Sequence, residues 1–172
     1  PYPDKVVIKS GDIEKTCGEL EEEASKGYLV SIYGCNYFEY YGSVCGCPEP
    51  EDYPQGCDLC EDGQILPEDS DMAINGASCH SLQKEALYDP FDQGCGYYHY
   101  LGSLCGCSAN IPRSDGCSLC ADGSAPPYGD RQSLSSDKEY GTCNHVNEYT
   151  KYVNREGSGA CTLSQSVMGS FC

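Results

Sequence analysis

Apolar positions follow a helical spacing in two stretches of the chain, and each stretch begins at a cysteine. Cys17, Leu20 and Ala24 stand at positions i, i+3 and i+7, which place their side chains on one face of an α-helix. The same spacing recurs at Cys79, Leu82 and Ala86. The pattern predicts two short helices, each with its first cysteine on the buried face.

A threonine or serine directly precedes the cysteine that opens each stretch, and a third such pair occurs at Thr142 and Cys143. Hydroxyl side chains at this position accept hydrogen bonds from the free backbone N–H groups of a helix N-terminus. Glu19 follows Thr16 by three residues, which completes the capping-box pattern. We therefore predict that a short helix begins directly after each of the three hydroxyl residues.

Aromatic side chains follow two further cysteines, Cys35 and Cys95. Phe38 and Tyr98 fall three residues after the cysteine, which favours a second short helix, with a tyrosine-rich strand as the alternative. The segments between these elements are rich in Gly, Pro, Asp and Ser, which predicts turns. The longest apolar run, residues 28–33, is far shorter than the roughly 18 residues of a membrane span, so no span is expected.

Composition changes the interpretation of this sparse apolar pattern. Only 27 of the 172 residues are Leu, Ile, Val or Phe, and the formal net charge is −17, a combination typical of disorder. However, the chain also has 15 cysteines, and disulfides at this density hold a small core together in an oxidising compartment. The sequence thus predicts a small, disulfide-rich extracellular (secreted) protein with short helices, long turns and little strand. An acidic chain without a basic run repels nucleic acid, which we exclude as a partner.

Short motifs recur along the chain at a fixed distance of 60 residues. Gly-Ser-Val-Cys-Gly-Cys at 42–47 reappears as Gly-Ser-Leu-Cys-Gly-Cys at 102–107, and Gly-Cys-x-Leu-Cys occurs at 56–60 and again at 116–120. A third copy of the pattern begins at Cys143 and stops halfway. We predict three tandem cysteine-stapled repeats, over 1–72, 73–136 and, truncated, 137–172.

All the cysteines are assigned to one disulfide framework. They are Cys17, Cys35, Cys45, Cys47, Cys57, Cys60, Cys79, Cys95, Cys105, Cys107, Cys117, Cys120, Cys143, Cys161 and Cys172. Six cysteines per repeat allow 15 pairings, among which the sequence does not choose. Cys45 and Cys47 are too close to bridge each other, so each is expected to pair with a different segment. Because the total is odd, we expect at least one partner outside these residues, as in a window on a longer array; a natural domain with degenerate ends is the alternative.

The clustered cysteines and acids raise the question of redox or metal chemistry. The Cys-x-x-Cys pairs at 57–60 and 117–120 have the spacing of a redox dithiol but lack its strand–helix context. Four thiolates, Cys45, Cys47, Cys57 and Cys60, could hold zinc, although secretion favours their oxidation. Acids crowd the turns of the first repeat, at Glu49, Glu51, Asp52, Asp58, Glu61, Asp62, Glu68, Asp69 and Asp71. They do not follow a calcium-loop spacing, so we expect no cofactor beyond weak calcium binding.

Catalytic residues are not evident in the sequence. The three histidines, His80, His99 and His145, occupy unrelated positions in the repeats, so no enzyme is expected. The 15 tyrosines suit the filling of a small core, or contacts with subunits or sugars. The sequence has no Asn-x-Ser/Thr sequon, whereas the Ser and Pro residues at 124–127 are compatible with O-linked glycans.

Three motifs resemble a cysteine-rich repeat found in predicted secreted proteins of diatoms and other stramenopile algae. They are Thr-Cys-Gly-Glu-Leu at 16–20, Cys-Gly-Cys-Pro at 45–48 and Cys-x-Leu-Cys-x-Asp-Gly at 57–63. The resemblance spans both full repeats, although Ser108 replaces the proline in the second. It implies an extracellular module that is often tandem, and it transfers no catalytic or binding residue.

We therefore expect a secreted structural protein, the repeat subunit of an extracellular filament, hair or cell-surface coat. Crosslinked repeats are rigid without a large core, and an unpaired cysteine with tyrosine patches can join successive subunits into a homo-oligomer or filament, with attached glycans. The alternative is an extracellular binding module for adhesion, carbohydrate binding or protease inhibition. For inhibition, the first candidate is the loop at 108–115, which carries Arg113.

Overall fold

The computed structural model of the chain is mostly helical, with little strand, in the part that it describes. The described residues are 2–10, 13–27, 30–48, 56–61, 63, 66, 73–74, 77–89, 93–132 and 141–172. Within these ranges, six disulfides join cysteines whose Cα atoms are 5.3–5.8 Å apart. The prediction of a small disulfide-rich fold with short helices and little strand is confirmed.

The chain divides into two compact units, each built from two separate segments. The first unit combines Pro1–Leu59 with His80–Cys95, and the second combines Cys60–Cys79 with Gly96–Cys172. Every one of the six disulfides closes within one unit. The boundaries of the two compact units therefore differ from the predicted boundaries of the sequence repeats. The predicted division at residues 72 and 136 stays a prediction.

Short elements follow one another along the chain, with turns between them. In order they are β1 (Val6–Ser10), β2 (Ile13–Thr16), α1 (Cys17–Ser25), α2 (Val30–Val44), β3 (Ala73–Ile74), β4 (Ala77–Ser78), α3 (Cys79–Tyr88), α4 (Cys95–Leu104), α5 (Cys143–Val153), α6 (Gly159–Ser164) and a π-helical turn (Gln165–Gly169). β1 pairs antiparallel with β2, and β3 pairs antiparallel with β4. β2 leads directly into α1.

The helix starts predicted from the hydroxyl–cysteine pairs are confirmed, and two of them have threonine caps. Thr16 Oγ1 accepts a hydrogen bond from the Glu19 N–H at 3.3 Å, and the Glu19 carboxylate accepts one from the Thr16 N–H at 2.7 Å. These hydrogen bonds to Thr16 hold the pKa of the exposed Glu19 carboxyl below its usual value. At the start of α5, Thr142 Oγ1 accepts a hydrogen bond from the His145 N–H at 3.4 Å.

A glycine in the left-handed conformation precedes each tyrosine-rich segment. Gly34 and Gly94 both have a φ of 77°, which residues with a side chain rarely adopt. α2 is kinked at Gly34 and continues as helix from Cys35, while α4 begins at Cys95. The prediction of a second helix is therefore confirmed in both repeats, and the strand alternative is wrong.

Cysteine, leucine and tyrosine side chains supply most of the buried residues in the described chain. The faces of α1 and α3 that were predicted to be buried do point inward. Of the six side chains in the two patterns, five are buried and that of Ala24 is half-buried. Three large side chains are at most 1% exposed: Leu59, Tyr98 and Leu119. Tyr40 and Tyr100 are also buried, so part of the tyrosine content fills the core.

The chain segment that precedes α1 and the segment that precedes α5 follow the same path. The first forms hydrogen bonds from Tyr2 N–H to Cys45 O at 3.1 Å and from Cys17 N–H to Lys5 O at 2.9 Å. The second forms them from Tyr128 N–H to Cys172 O at 3.1 Å and from Cys143 N–H to Arg131 O at 2.9 Å. Corresponding residues of the repeat thus make corresponding contacts, one set in each compact unit.

Two glycines lie against the C-terminal turns of helices with no room for a side chain. A Cβ atom on Gly56 would fall 1.7 Å from the Leu87 carbonyl oxygen, and one on Gly116 would fall 2.3 Å from the Lys151 carbonyl oxygen. These glycines open the two copies of Gly-Cys-x-Leu-Cys, so the motif begins at a close approach of two backbones.

We predict that Gly116→Ala lowers the free energy of unfolding by about 2 kcal/mol or more, because the methyl group meets the backbone of α5. Gly159→Ala is the matched control, since no atom lies within 4 Å of a Cβ at Gly159 and the residue is helical. Urea unfolding of both variants without reductant measures the difference. Equal stability of the two variants would contradict this packing.

Candidate assembly site

An apolar pocket of about 330 Å³ opens in the first compact unit. Its wall combines the buried face of α1 with residues from the C-terminal half of α2. The Cys17–Cys45 disulfide, whose two cysteines line the pocket, joins the start of α1 to the residue that follows α2. Leu20, Phe38 and Gly42 add apolar surface, so the pocket suits an apolar side chain.

Two exposed cysteines of the first unit carry free thiols. Cys47 lines the pocket, and Cys35 begins the helical segment that follows Gly34. In the described chain one further cysteine is free, the half-buried Cys120 of the second unit. Exposed thiols can exchange with disulfides, so Cys35 and Cys47 are accessible to a partner.

The second compact unit contains a counterpart of this pocket that is filled. Leu119, at 1% exposed, packs in a buried cluster with Cys143, Val146 and Cys172. By their place in the repeat, these three residues correspond to Cys17, Leu20 and Cys45, which line the pocket of the first unit. Burial of a leucine side chain contributes roughly 1.5–3 kcal/mol, so this insertion is a substantial part of the local stability.

Hydrogen bonds from α5 hold the inserted segment in place. Asn147 Oδ1 accepts the Leu119 N–H at 2.9 Å, and Thr150 Oγ1 donates to the Cys117 carbonyl oxygen at 2.9 Å. Asn154, directly after α5, supplies a carbonyl oxygen that accepts the Cys117 N–H at 2.9 Å. Three backbone groups of the segment are therefore satisfied by α5 and the residue that follows it, and Gln165 Nε2 donates to a fourth, the Ser118 carbonyl oxygen, at 3.0 Å.

Two residues of the first unit correspond to residues that contact the inserted segment in the second unit. Glu21 corresponds to Asn147 and lines the pocket, where its carboxylate can accept a backbone N–H in the same way. Gly42 corresponds to Gly169, at which a Cβ would fall 2.5 Å from the Leu119 carbonyl oxygen. The pocket thus has both the acceptor and the glycine that the filled counterpart uses.

The six disulfides follow one register with respect to the sequence repeat. Three bonds join the first helix of a repeat to the end of its second helical segment: Cys17–Cys45, Cys79–Cys105 and Cys143–Cys172. The other three join a Cys-x-x-Cys segment to the following repeat: Cys57–Cys95, Cys60–Cys107 and Cys117–Cys161. With the predicted repeat bounds, each of these three bonds links one sequence repeat to the next.

Twelve of the fifteen cysteines assigned to the framework form these bonds, and Cys35, Cys47 and Cys120 do not. The expectation that Cys45 and Cys47 each pair with a different segment is wrong for Cys47, whose thiol is free, whereas Cys45 bonds Cys17. In the second repeat the corresponding cysteines do pair with different segments, Cys105 with Cys79 and Cys107 with Cys60.

The bonding also settles two alternatives for the cysteines. Cys57 and Cys60 each bond a distant cysteine, so they do not form a dithiol pair with each other. Three of the four cysteines considered for zinc are in disulfides, which leaves only Cys47 as a thiol. In the described part of the chain, no three His, Cys, Asp or Glu side chains form a group that could hold a metal ion.

Most of the acids considered for calcium lie outside the described residues, namely Glu49, Glu51, Asp52, Asp62, Glu68, Asp69 and Asp71. Asp58 is exposed, and Glu61 Oε1 lies 3.0 Å from His99 Nδ1. Weak calcium binding therefore stays a prediction. No helix within the described ranges has the length and apolarity needed to cross a membrane.

Tyrosine side chains form a second kind of contact between repeats. In the second unit Tyr100 meets Tyr152 edge to face with ring centroids 5.6 Å apart, and in the first unit Tyr40 meets Tyr88 at 5.9 Å. These are corresponding residues, and each pair joins the second helical segment of one repeat to the first helix of the next. Such pairs contribute about 0.5–1.5 kcal/mol beyond their buried area.

His145 is hydrogen-bonded at this contact in the second unit. Its Nε2 lies 2.7 Å from the Tyr100 hydroxyl, and the two rings meet edge to face at 5.4 Å. Partial burial lowers the pKa of the His145 imidazole, while burial and then the charge of Glu148 raise the pKa of Tyr100. Both groups are therefore favoured in their neutral forms.

The pocket and its filled counterpart were not part of the sequence prediction. The available signal was the recurrence of Gly-Cys-x-Leu-Cys, in which a leucine is kept between two cysteines at 59 and at 119. A leucine in a turn rich in polar residues indicates burial against another segment, but it does not indicate which one.

Comparison with protein-family models, with curated proteins and with solved structures finds no match to this chain.

We predict that the free energy of unfolding falls as the pH is lowered through about 6.5, in part because of His145. Its folded-state pKa is below the unfolded value, so the unfolded chain binds the proton more readily. His145→Gln should weaken this pH dependence between pH 5 and 7.5, and His80→Gln, at an exposed position, serves as the control. Denaturant unfolding at several pH values gives the comparison, and an unchanged dependence in His145→Gln would contradict the assignment.

Proposed function

We propose that the chain is a secreted structural protein, made of tandem repeats, that forms part of an extracellular filament, hair or cell-surface coat. The disulfide register carries the proposal, because Cys57–Cys95, Cys60–Cys107 and Cys117–Cys161 connect each repeat to the next. In a linear array with such bonds, tension passes through covalent links instead of a small apolar core. This suits a load-bearing element.

Two further properties support an extracellular structural role. Six disulfides are compatible with an oxidising, extracellular environment, where they persist. The formal net charge of −17 favours solubility of such a chain. The resemblance of three motifs to secreted algal repeats agrees with this proposal, and so does the prediction of O-linked glycans.

Protease inhibition, one form of the binding-module alternative, has less support from the contacts of its candidate loop. Arg113 Nε donates a hydrogen bond to Asp115 Oδ1 at 3.1 Å, and Arg155 Nε lies 3.7 Å from Asp115 Oδ2. The hydrogen bond from Arg113 holds the pKa of the exposed Asp115 carboxyl below its usual value. A protease inhibitor needs its basic side chain free to enter the enzyme, whereas Arg113 is paired within its own loop.

We predict that the native protein, alkylated at isolation and never reduced, forms elongated assemblies with a mass well above 18.6 kDa. Electron microscopy and light scattering over a range of concentrations measure this, with a sample reduced and then alkylated as the control. Because disulfides join consecutive repeats, the reduced sample should lose its elongated form. Compact monomers in the unreduced sample at every concentration would contradict the proposed function.

A further inference from the structure

We propose that the pocket and the two free thiols of the first repeat form a socket for a Gly-Cys-x-Leu-Cys segment of another repeat of the same kind. In this socket Cys35 bonds the first cysteine of the incoming segment, Cys47 bonds the second, and the leucine enters the pocket. The inference rests on the proposed function, because it states the rule by which one repeat is joined to the one before it.

The filled counterpart in the second compact unit shows how such a segment binds. Cys117 bonds Cys161, which corresponds to Cys35 in the repeat. Leu119 then lies in the cluster with Cys143 and Val146. The first cysteine and the leucine of the segment thus use positions that are equivalent to Cys35 and to the pocket.

The second repeat shows which position bonds the second cysteine of such a segment. Cys95 and Cys107 correspond to Cys35 and Cys47, and they bond the two cysteines of one Cys-x-x-Cys segment, Cys57 and Cys60. Both free thiols of the first repeat therefore occupy the positions at which the second repeat forms disulfides with a Cys-x-x-Cys segment.

The same rule accounts for the remaining free cysteine. Cys120 corresponds to Cys60, whose partner is the second cysteine of a Cys-Gly-Cys motif. Cys120 is then expected to bond the second cysteine of another Cys-Gly-Cys motif. Cys35 and Cys47 are expected to bond the cysteines of an incoming Cys-x-x-Cys segment. One register thus explains every thiol that is free in the described chain, and it makes the two ends of the linkage different.

The lining residues of the pocket suit the polarity of the segment. Leu20 corresponds to Val146, which packs against Leu119 in the filled counterpart, and Phe38 adds apolar surface. Glu21 stands at the place of Asn147, which accepts the leucine N–H in the filled case. The socket therefore offers apolar surface, a hydrogen-bond acceptor and two thiols to one segment.

A folded second copy of this chain is not the partner, because both of its own segments are engaged. Leu59 and Leu119 are 0% and 1% exposed, and of the four cysteines in these segments only Cys120 is free. The partner is a repeat whose Gly-Cys-x-Leu-Cys segment is still reduced, as it is before that repeat has been joined.

Each new bond forms by oxidation of two thiols. The Cys35 thiol and one thiol of the segment lose two protons and two electrons to a low-molecular-weight disulfide, such as oxidised glutathione, and form a disulfide. The oxidant is reduced to two thiols, which take up the protons and electrons. The same exchange joins Cys47 to the second cysteine of the segment.

The test uses the oxidised chain and a synthetic peptide with the sequence of residues 115–121, Asp-Gly-Cys-Ser-Leu-Cys-Ala. In a glutathione redox buffer, we expect one peptide per chain, with its first cysteine on Cys35 and its second on Cys47. Mass spectrometry of the unreduced digest identifies the bonds. Crossed pairing, or attachment at Cys120 in preference to Cys47, would overturn the inference.

A control peptide separates the socket from simple thiol reactivity. With Leu119→Ser in the peptide, we expect the yield of adduct to fall about tenfold or more, because the pocket no longer receives an apolar side chain. Chain variants Cys35→Ser and Cys47→Ser should each keep only the bond at the remaining cysteine. An equal yield from the serine peptide would show a reactive thiol without a socket, and it would overturn the inference.

The failure of this inference and that of the proposed function are distinguishable. If the native protein forms elongated assemblies but the leucine peptide binds no better than the serine peptide, the socket is wrong and the proposed function stands. If the peptide binds in the expected register but native material is monomeric, the socket stands and the proposed function is wrong.

Discussion

The linkage of each Cys-x-x-Cys segment to the following repeat is the constraint on which the rest of the structure depends. A chain with 27 large aliphatic and phenylalanine residues among 172 cannot bury enough apolar surface to hold its fold. Each linking disulfide closes a loop of 38, 44 or 47 residues, and in the chain-entropy model a loop of this length contributes about 3–4 kcal/mol. The bonds also bring the leucine of each segment to a buried position. Covalent linkage and apolar burial therefore act at the same place.

The local elements could be predicted because their signals are local. Thr16 and Glu19 form a capping box through side-chain–backbone hydrogen bonds within the first turn, and the spacing of Cys17, Leu20 and Ala24 defines the face that α1 buries. The helix after Cys35 was predicted from the aromatic residue three positions later, whereas the positive φ of Gly34 before it is seen only in the structure. The pairing of β1 with β2 was not predicted, although Val6 to Ile8 are β-branched, because a short isolated pair of strands gives a weak pattern.

The disulfide pairing and the pocket could not be predicted from the same information. The sequence repeat indicates self-contained repeats, whereas half of the disulfides connect one repeat with the next. Which cysteines meet depends on the approach of distant segments, as where Gly116 touches the end of α5, and this approach leaves no periodic signal. An unfilled pocket beside Leu20 is equally invisible, because the residues that line it are the same types that form a core. Once the pairing is known, however, the three free thiols follow from the register.

We propose above all that successive repeats are joined by disulfides in a fixed register. Mass spectrometry of peptides from the unreduced, thiol-blocked chain tests it most directly. We predict the bonds Cys57–Cys95, Cys60–Cys107 and Cys117–Cys161. In a chain that has not been joined to another repeat, Cys35, Cys47 and Cys120 should be recovered as blocked thiols. Bonds from Cys57 or Cys60 to Cys35 or Cys47, which would close the first repeat on itself, would contradict it.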